Sequence, residues 1–178
     1  MFTKTKKTLL LHSCCAPCST SVFERLAEDY KIILFFYNPN IMPAAEYEKR
    51  LSEQKRLASI LDIELIEGEY DNDGFLKALK GFENEPEKSA RCEKCITLRL
   101  SKTAQTAKAH GFDFFATTLS VSPHKNAELI NRILKESGAN SIREDFKKKD
   151  GYKRSIELSK MHGLYRQSYC GCIFAENS

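Results

Sequence analysis

Residues 31–37 read Lys-Ile-Ile-Leu-Phe-Phe-Tyr, an apolar run with no polar alternation. A strand with one wet face alternates, so an unbroken run of this kind requires cover on both faces, the situation of a central strand in a parallel sheet. Asn38-Pro39-Asn40 ends it. Thr8–His12, Ile63–Ile66 and Phe112–Leu119 read as further strands, and Ser141–Phe146 as a fifth. Between them, helical spacing predicts a helix from Ser19 to about Asp29, one over Ala44–Leu61, a short one over Asp71–Leu79, a long one over Arg91–His110 closed by Gly111, and one over Asn126–Ser137 closed by Gly138. Gly81–Ser89 is a polar loop. This alternation predicts an α/β fold, a doubly wound parallel sheet of order 3-2-1-4-5, in a single domain over residues 1–178. Ligands of such sheets collect outside the carboxyl ends of the strands. Residues 13–18 and the start of the 91–110 helix should therefore face one crevice.

All seven cysteines fall into three groups: Cys14-Cys15 with Cys18, Cys92-x-x-Cys95, and Cys170-Gly171-Cys172. Structural cysteines are dispersed among apolar neighbours, so this grouping points to metal or redox chemistry. A chain of 178 residues, 42% of them hydrophobic, builds a core without disulfide staples, and an odd count argues against a fully paired framework. The apolar run Thr8–Leu11 after Lys4–Lys7 is too short for a secretory leader, and no segment approaches a membrane span. A cytoplasmic protein with reduced thiols is expected. The net charge of +4 is modest. Its late basic run, Arg143, Lys147-Lys148-Lys149, Lys153 and Arg154, reads first as a solvated face and is compatible with phosphate contacts.

Thiolates hold either zinc or an iron–sulfur cluster. Cys92 and Cys95, one turn apart at a helix start, sit where the positive end of the helix favours thiolate. Adjacent Cys14 and Cys15 suit a cluster better than a zinc knuckle, which uses two x-x-spaced pairs; zinc stays open. Cys170-Gly-Cys172 can close a strained, easily reduced disulfide, or ligate metal. His12 and His124 are hydrogen-bonded scaffold or ligands. Asp71 and Asp145 are helix caps, surface charges or site carboxylates. Tyr37, Tyr47, Tyr152, Tyr165 and Tyr169 read as core or rim, with base stacking as the alternative.

Five motifs occur in order: Leu10-Leu-His-Ser-Cys-Cys-Ala-Pro-Cys18, Tyr37-Asn-Pro-Asn-Ile41, Arg91-Cys-x-x-Cys95, Thr117-Thr-Leu119 with Ser122-Pro-His-Lys-Asn126, and Leu164-Tyr-Arg-Gln-x-Tyr-Cys-Gly-Cys172. Together they resemble the QueH family, the cobalamin-independent epoxyqueuosine reductases, over nearly the whole chain. The resemblance implies reduction of the epoxide of epoxyqueuosine, at the wobble position of tRNA, to queuosine. It implies a [4Fe-4S] cluster on Cys14, Cys15, Cys92 and Cys95, and a redox-active pair at Cys170 and Cys172. A further iron is implied as well, with Cys18 and either Asp145 or Asp71 as its ligands. The implied partners are the tRNA and an electron donor, and the implied fold is of the adenine-nucleotide α-hydrolase (HUP-like) type. The loop Ser13–Ser19 lacks a glycine-rich run to cradle pyrophosphate, which predicts no ATP use and sets the chain apart from tRNA thiolases of related fold. A zinc-stabilised RNA-binding domain without catalysis is the alternative outside enzymes; it leaves the Cys-Gly-Cys segment without a role.

Overall fold

The computed structural model describes residues 5–175. A four-stranded, all-parallel sheet has the order β3-β2-β1-β4, with β1 Lys7–His12, β2 Tyr30–Phe36, β3 Leu65–Glu67 and β4 Phe114–Thr117. The helices are α1 Ala16–Leu26, α2 Ala44–Leu61, α3 Asn72–Ala78, α4 Ala90–Ala109, α5 Ala127–Glu136 and α6 Gly151–Met161, with 3-10 turns at Leu119–Val121 and Ile173–Ala175. Thr8–Leu11 is the interior of β1, whereas Lys4 lies outside the described residues. No described helix is long and apolar enough to cross a membrane.

The pleat explains the double cover. Leu10, Ile33, Phe35 and Phe115 pack with Ile96, Leu100, Ile130 and Leu134 of α4 and α5. Leu9, Leu11, Ile32 and Leu34 point the other way, to Val22 and Leu26 of α1, Ala58 of α2 and Phe146. Each fully buried Leu in such layers contributes about 1.5–3 kcal/mol through the surface it withdraws from water.

Three expectations change. The first helix begins at Ala16, not Ser19, because Pro17 sits in its first turn, where the missing N–H is no loss. The fifth strand is reduced to one parallel bridge, Phe115 with Ser141. β4 stops at Thr117, and beyond it the Ser120 hydroxyl takes over the pairing, donating to Glu144 O (3.0 Å) and accepting from Phe146 N (3.2 Å). Helix α6 was not anticipated, since its charged positions read as part of the basic run. It packs on α1 and starts at a glycine whose added Cβ would come within 1.8 Å of Phe146 O.

Candidate metal centre and thiol cleft

The end of β1 is fixed by a buried imidazole. His12 Nε2 lies 3.1 Å from the Tyr37 carbonyl, which can only accept, so this nitrogen carries the proton. Nδ1 then accepts from the Thr117 hydroxyl at 2.8 Å. Burial, followed by the Arg99 charge, lowers His12 to about 3. His12 is a neutral brace between β1, β2 and β4. Next to it, Ser13 Oγ meets Gln54 Oε1 (2.5 Å) and Ser19 Oγ (2.7 Å), and Asn38 Nδ2 donates to Ser13 O (2.9 Å).

This brace turns the chain so that Cys14, Cys15 and Cys18 converge, with all three sulfurs within 4.8 Å of one another. Cys15 is the N-cap of α1 and Cys18 lies in its first turn. Cys14 and Cys15 Sγ are 3.8 Å apart. Thr118 Oγ1 accepts from Cys14 N (3.2 Å) and donates to Cys14 Sγ (3.4 Å). Hydrogen bonds from Cys15 and Cys18 hold Cys14 well below the ordinary thiol value, helped by Thr118 and Arg99. The same bonds, with burial, push Cys15 and Cys18 up.

Cys92 and Cys95 stand on the first turns of α4, and Lys88 N donates to Cys92 Sγ (3.3 Å). They share a narrow cleft with Cys170 and Cys172, also lined by Asn40, Arg91, Arg99 and Lys125. Burial raises Cys95 and, more strongly, Cys172, whose thiol is pushed up to about 11 and is protonated at neutral pH. The C-terminal segment reaches this cleft as a strap over α2. Arg50, buried in α2, donates from Nη1 to Cys170 O (3.2 Å) and from Nη2 to Tyr169 O (3.1 Å), while its Nε binds Glu46 (2.7 Å). Gly171 O accepts from Met42 N (2.8 Å), and Tyr165 N donates to Glu53 (2.8 Å).

The sulfurs therefore fall into two sets, the triad and the four cleft thiols, and Arg99 links them. Its charge acts on both Cys14 and Cys95, and its Nη2 donates to Asn38 Oδ1 (2.5 Å). All seven cysteines are free thiols. Asp71 caps α3 through Gly74 N (2.8 Å), and Asp145 pairs with Lys147 (3.0 Å); neither belongs to the convergent group. His124 is exposed. The basic run is partly self-neutralised, since Arg154 binds Glu24 and Glu157 as Lys147 binds Asp145. Arg50 and Arg99 escaped the sequence reading, and Arg91 entered it only as part of a motif, because a helical arginine ordinarily marks the wet face; all three are buried. The Nε groups of Arg91 and Arg99 have no hydrogen-bond partner among the described residues. Orphaned cationic donors beside clustered thiols fit an anionic, thiolate-bound metal group.

The doubly wound parallel sheet defines an α/β protein of the HUP-like type, and its Cys14–Cys15–Cys18 group could hold a metal ion. The U34-tRNA thiolase NcsA from Methanococcus maripaludis, solved with its [4Fe-4S] cluster, has this fold. It superposes with a TM-score of 0.61 at 14% identity, over 96% of this chain and 62% of its own. A family model, Epoxyqueuosine reductase QueH, matches residues 9–178. The QueH epoxyqueuosine reductase of Acinetobacter baylyi is 43% identical over 175 residues, covering 94% of this chain and 79% of that protein. That of Staphylococcus epidermidis is 40% identical over 179 residues, covering 94% and 75%. The chain belongs to the QueH family of epoxyqueuosine reductases, which are oxidoreductases.

Proposed function

We propose that this chain reduces the epoxide of epoxyqueuosine at the wobble position of tRNA, giving queuosine, in the cytoplasm. Cys14, Cys15, Cys92 and Cys95 would hold a [4Fe-4S] cluster, with Cys18 left beside it as a thiol for a further iron. When bound, the cluster supplies one-electron reduction and a Lewis-acidic iron. The observation that carries the reading is the shared cleft: Cys170 and Cys172 line it together with Cys92 and Cys95, and Arg99 acts on both Cys14 of the first loop and Cys95 of α4.

The chain's own residues have distinct tasks. His12, Ser13 and Gln54 fix the first loop. Arg50 and Met42 hold the Cys-Gly-Cys backbone against the cleft. Oxidation of the Cys170 and Cys172 thiols to a disulfide releases two electrons and two protons, which convert the epoxide to a cyclopentene and water. An external reductant then restores the thiols. The tRNA would approach the cleft mouth, with the exposed lysines of the basic run offering phosphate contacts.

Anaerobic reconstitution with iron and sulfide tests this reading. A band near roughly 400 nm that bleaches with dithionite, together with about four iron and four sulfide per chain, is the expected result. Conversion of epoxyqueuosine in tRNA should accompany it. A colourless protein holding one zinc on the Cys14–Cys15–Cys18 triad would overturn the reading in favour of a zinc-stabilised RNA-binding domain.

A further inference from the structure

Opening an epoxide reductively requires a proton at the oxygen, and the cleft offers few donors. Cys92 and Cys95 are assigned as ligands, and Cys170 and Cys172 as the electron source. The guanidinium groups of Arg91 and Arg99 do not release protons in proteins, and they are tied to Glu83 O (3.0 Å) and Asn38 Oδ1 (2.5 Å). Glu87 is exposed, and carboxylates in water are acceptors at neutral pH. His124 is exposed and does not line the cleft.

Lys125 is different. It lines the same cleft and is half-buried. Its backbone is fixed on both sides: Lys125 N donates to Ser122 O (3.2 Å), and the next residue, Asn126, caps α5 through Glu128 N (2.9 Å) and Leu129 N (3.2 Å). The ammonium has no hydrogen-bond or ion-pair partner among the described residues, and its field reaches Cys95. A flexible cation on a rigid mount, with free donors in the cleft that the thiols line, can follow an oxygen as it leaves carbon.

We infer that Lys125 is the catalytic general acid that protonates the epoxide oxygen. The inference rests on the reductase reading. As the first C–O bond opens, the ammonium gives one proton to the oxygen. The second C–O bond then breaks, the double bond forms, and the oxygen leaves as water after a second proton. The two electrons come from the Cys170–Cys172 dithiol, which ends as a disulfide. Its two protons balance the equation, one of them reprotonating Lys125.

The test uses the reconstituted holoenzyme with tRNA bearing epoxyqueuosine. Turnover at saturating tRNA, tRNA affinity and iron content are measured for the wild type, K125A and K125R. Turnover should fall by about 10²–10⁴ in both variants, the range of general acid catalysis, with tRNA affinity and iron content unchanged. Arginine keeps the charge but cannot donate, so it should be no better than alanine; ethylammonium added to K125A should restore part of the rate. Wild-type turnover in K125R would reduce Lys125 to a charge. A loss confined to tRNA affinity would make it a phosphate contact, and unchanged turnover in K125A would remove it from the reaction; each overturns the inference. An inactive wild type would overturn the reductase reading itself, and the inference with it.

Discussion

The two ends of the chain bring thiols to the same edge of the sheet by opposite means. The first loop is a strand-to-helix junction whose polar neighbours are locked side chain to side chain: His12 to Thr117, Ser13 to Ser19 and Gln54, Thr118 to Cys14. The Cys-Gly-Cys segment has no regular structure of its own. It is held through its backbone carbonyls, by Arg50 on Tyr169 and Cys170 and by Met42 on Gly171. Rigid sulfurs suit ligation, where geometry must not drift. Sulfurs on a backbone-tethered strap can shorten and lengthen their separation as a disulfide forms and breaks. Under the proposed function, the two designs would divide the labour between holding a cofactor and cycling electrons.

The sharpest break of this division is a pair of cysteine variants. Cys14→Ala should lower iron affinity by more than about a hundredfold, beyond what changes around a ligand produce, and abolish turnover with it. Cys172→Ser should leave iron and absorbance intact and stop turnover with a physiological reductant. Iron analysis and tRNA nucleoside analysis on the same preparations decide it; full activity in Cys172→Ser would end the relay role. Next in size is Arg50→Met. It preserves packing but removes a guanidinium that is 2% exposed, with its bonds to three partners, and leaves Glu46, at 12% exposure, without its cation and bonded to the Tyr165 hydroxyl. Loss of one partner of a buried pair costs about 3–5 kcal/mol. The urea midpoint should drop, and protease should cut within the strap, while the band near roughly 400 nm of the reconstituted protein persists.

The same contrast governs what was legible in the sequence. Unbroken apolar strands and helices closed by Gly111 and Gly138 disclose the sheet, because burial on two faces leaves a compositional trace. Ser141–Phe146 carries the trace of a strand, yet a serine hydroxyl satisfies its backbone instead. α6 was hidden because its buried face uses Ser155 and Ser159 alongside Leu158, and polar residues do not announce a core. The cysteine groups are plain by spacing. Their supports are not: besides Glu46, one turn away, Arg50 binds two carbonyls far along the chain, and a backbone acceptor has no sequence signature.

Gly171→Ala probes the strap more gently. Its φ of +100° disfavours any side chain, and an added Cβ would lie 2.8 Å from Ile41 Cγ1. A cost of about 1–3 kcal/mol follows from the backbone strain alone, read as a lower thermal midpoint. Slower reoxidation of the dithiol, with iron unchanged, should accompany it; a matching loss of iron would show that the strap and the first loop are one unit.

The smallest effect is electrostatic. Glu53 accepts the Tyr165 amide at the root of the strap, and its carboxyl is held below the ordinary value of 4.5 by the Arg56 guanidinium first, then by that amide. Its folded value is depressed, so the unfolded or detached state binds the extra proton. The anchoring is complete above pH 4.5 and is lost as pH falls through the lower folded value. Hydrogen exchange at the Tyr165 amide, corrected for intrinsic rates, should therefore lose protection on acidification in the wild type. Glu53→Gln keeps an acceptor but cannot titrate, so its protection should be lower at neutral pH and flat in acid. The amides of Ser13 and Cys14, on the side-chain-locked loop, should show no Glu53-dependent change. If their protection falls in step with Tyr165, the division between a locked ligand loop and a tethered strap does not hold.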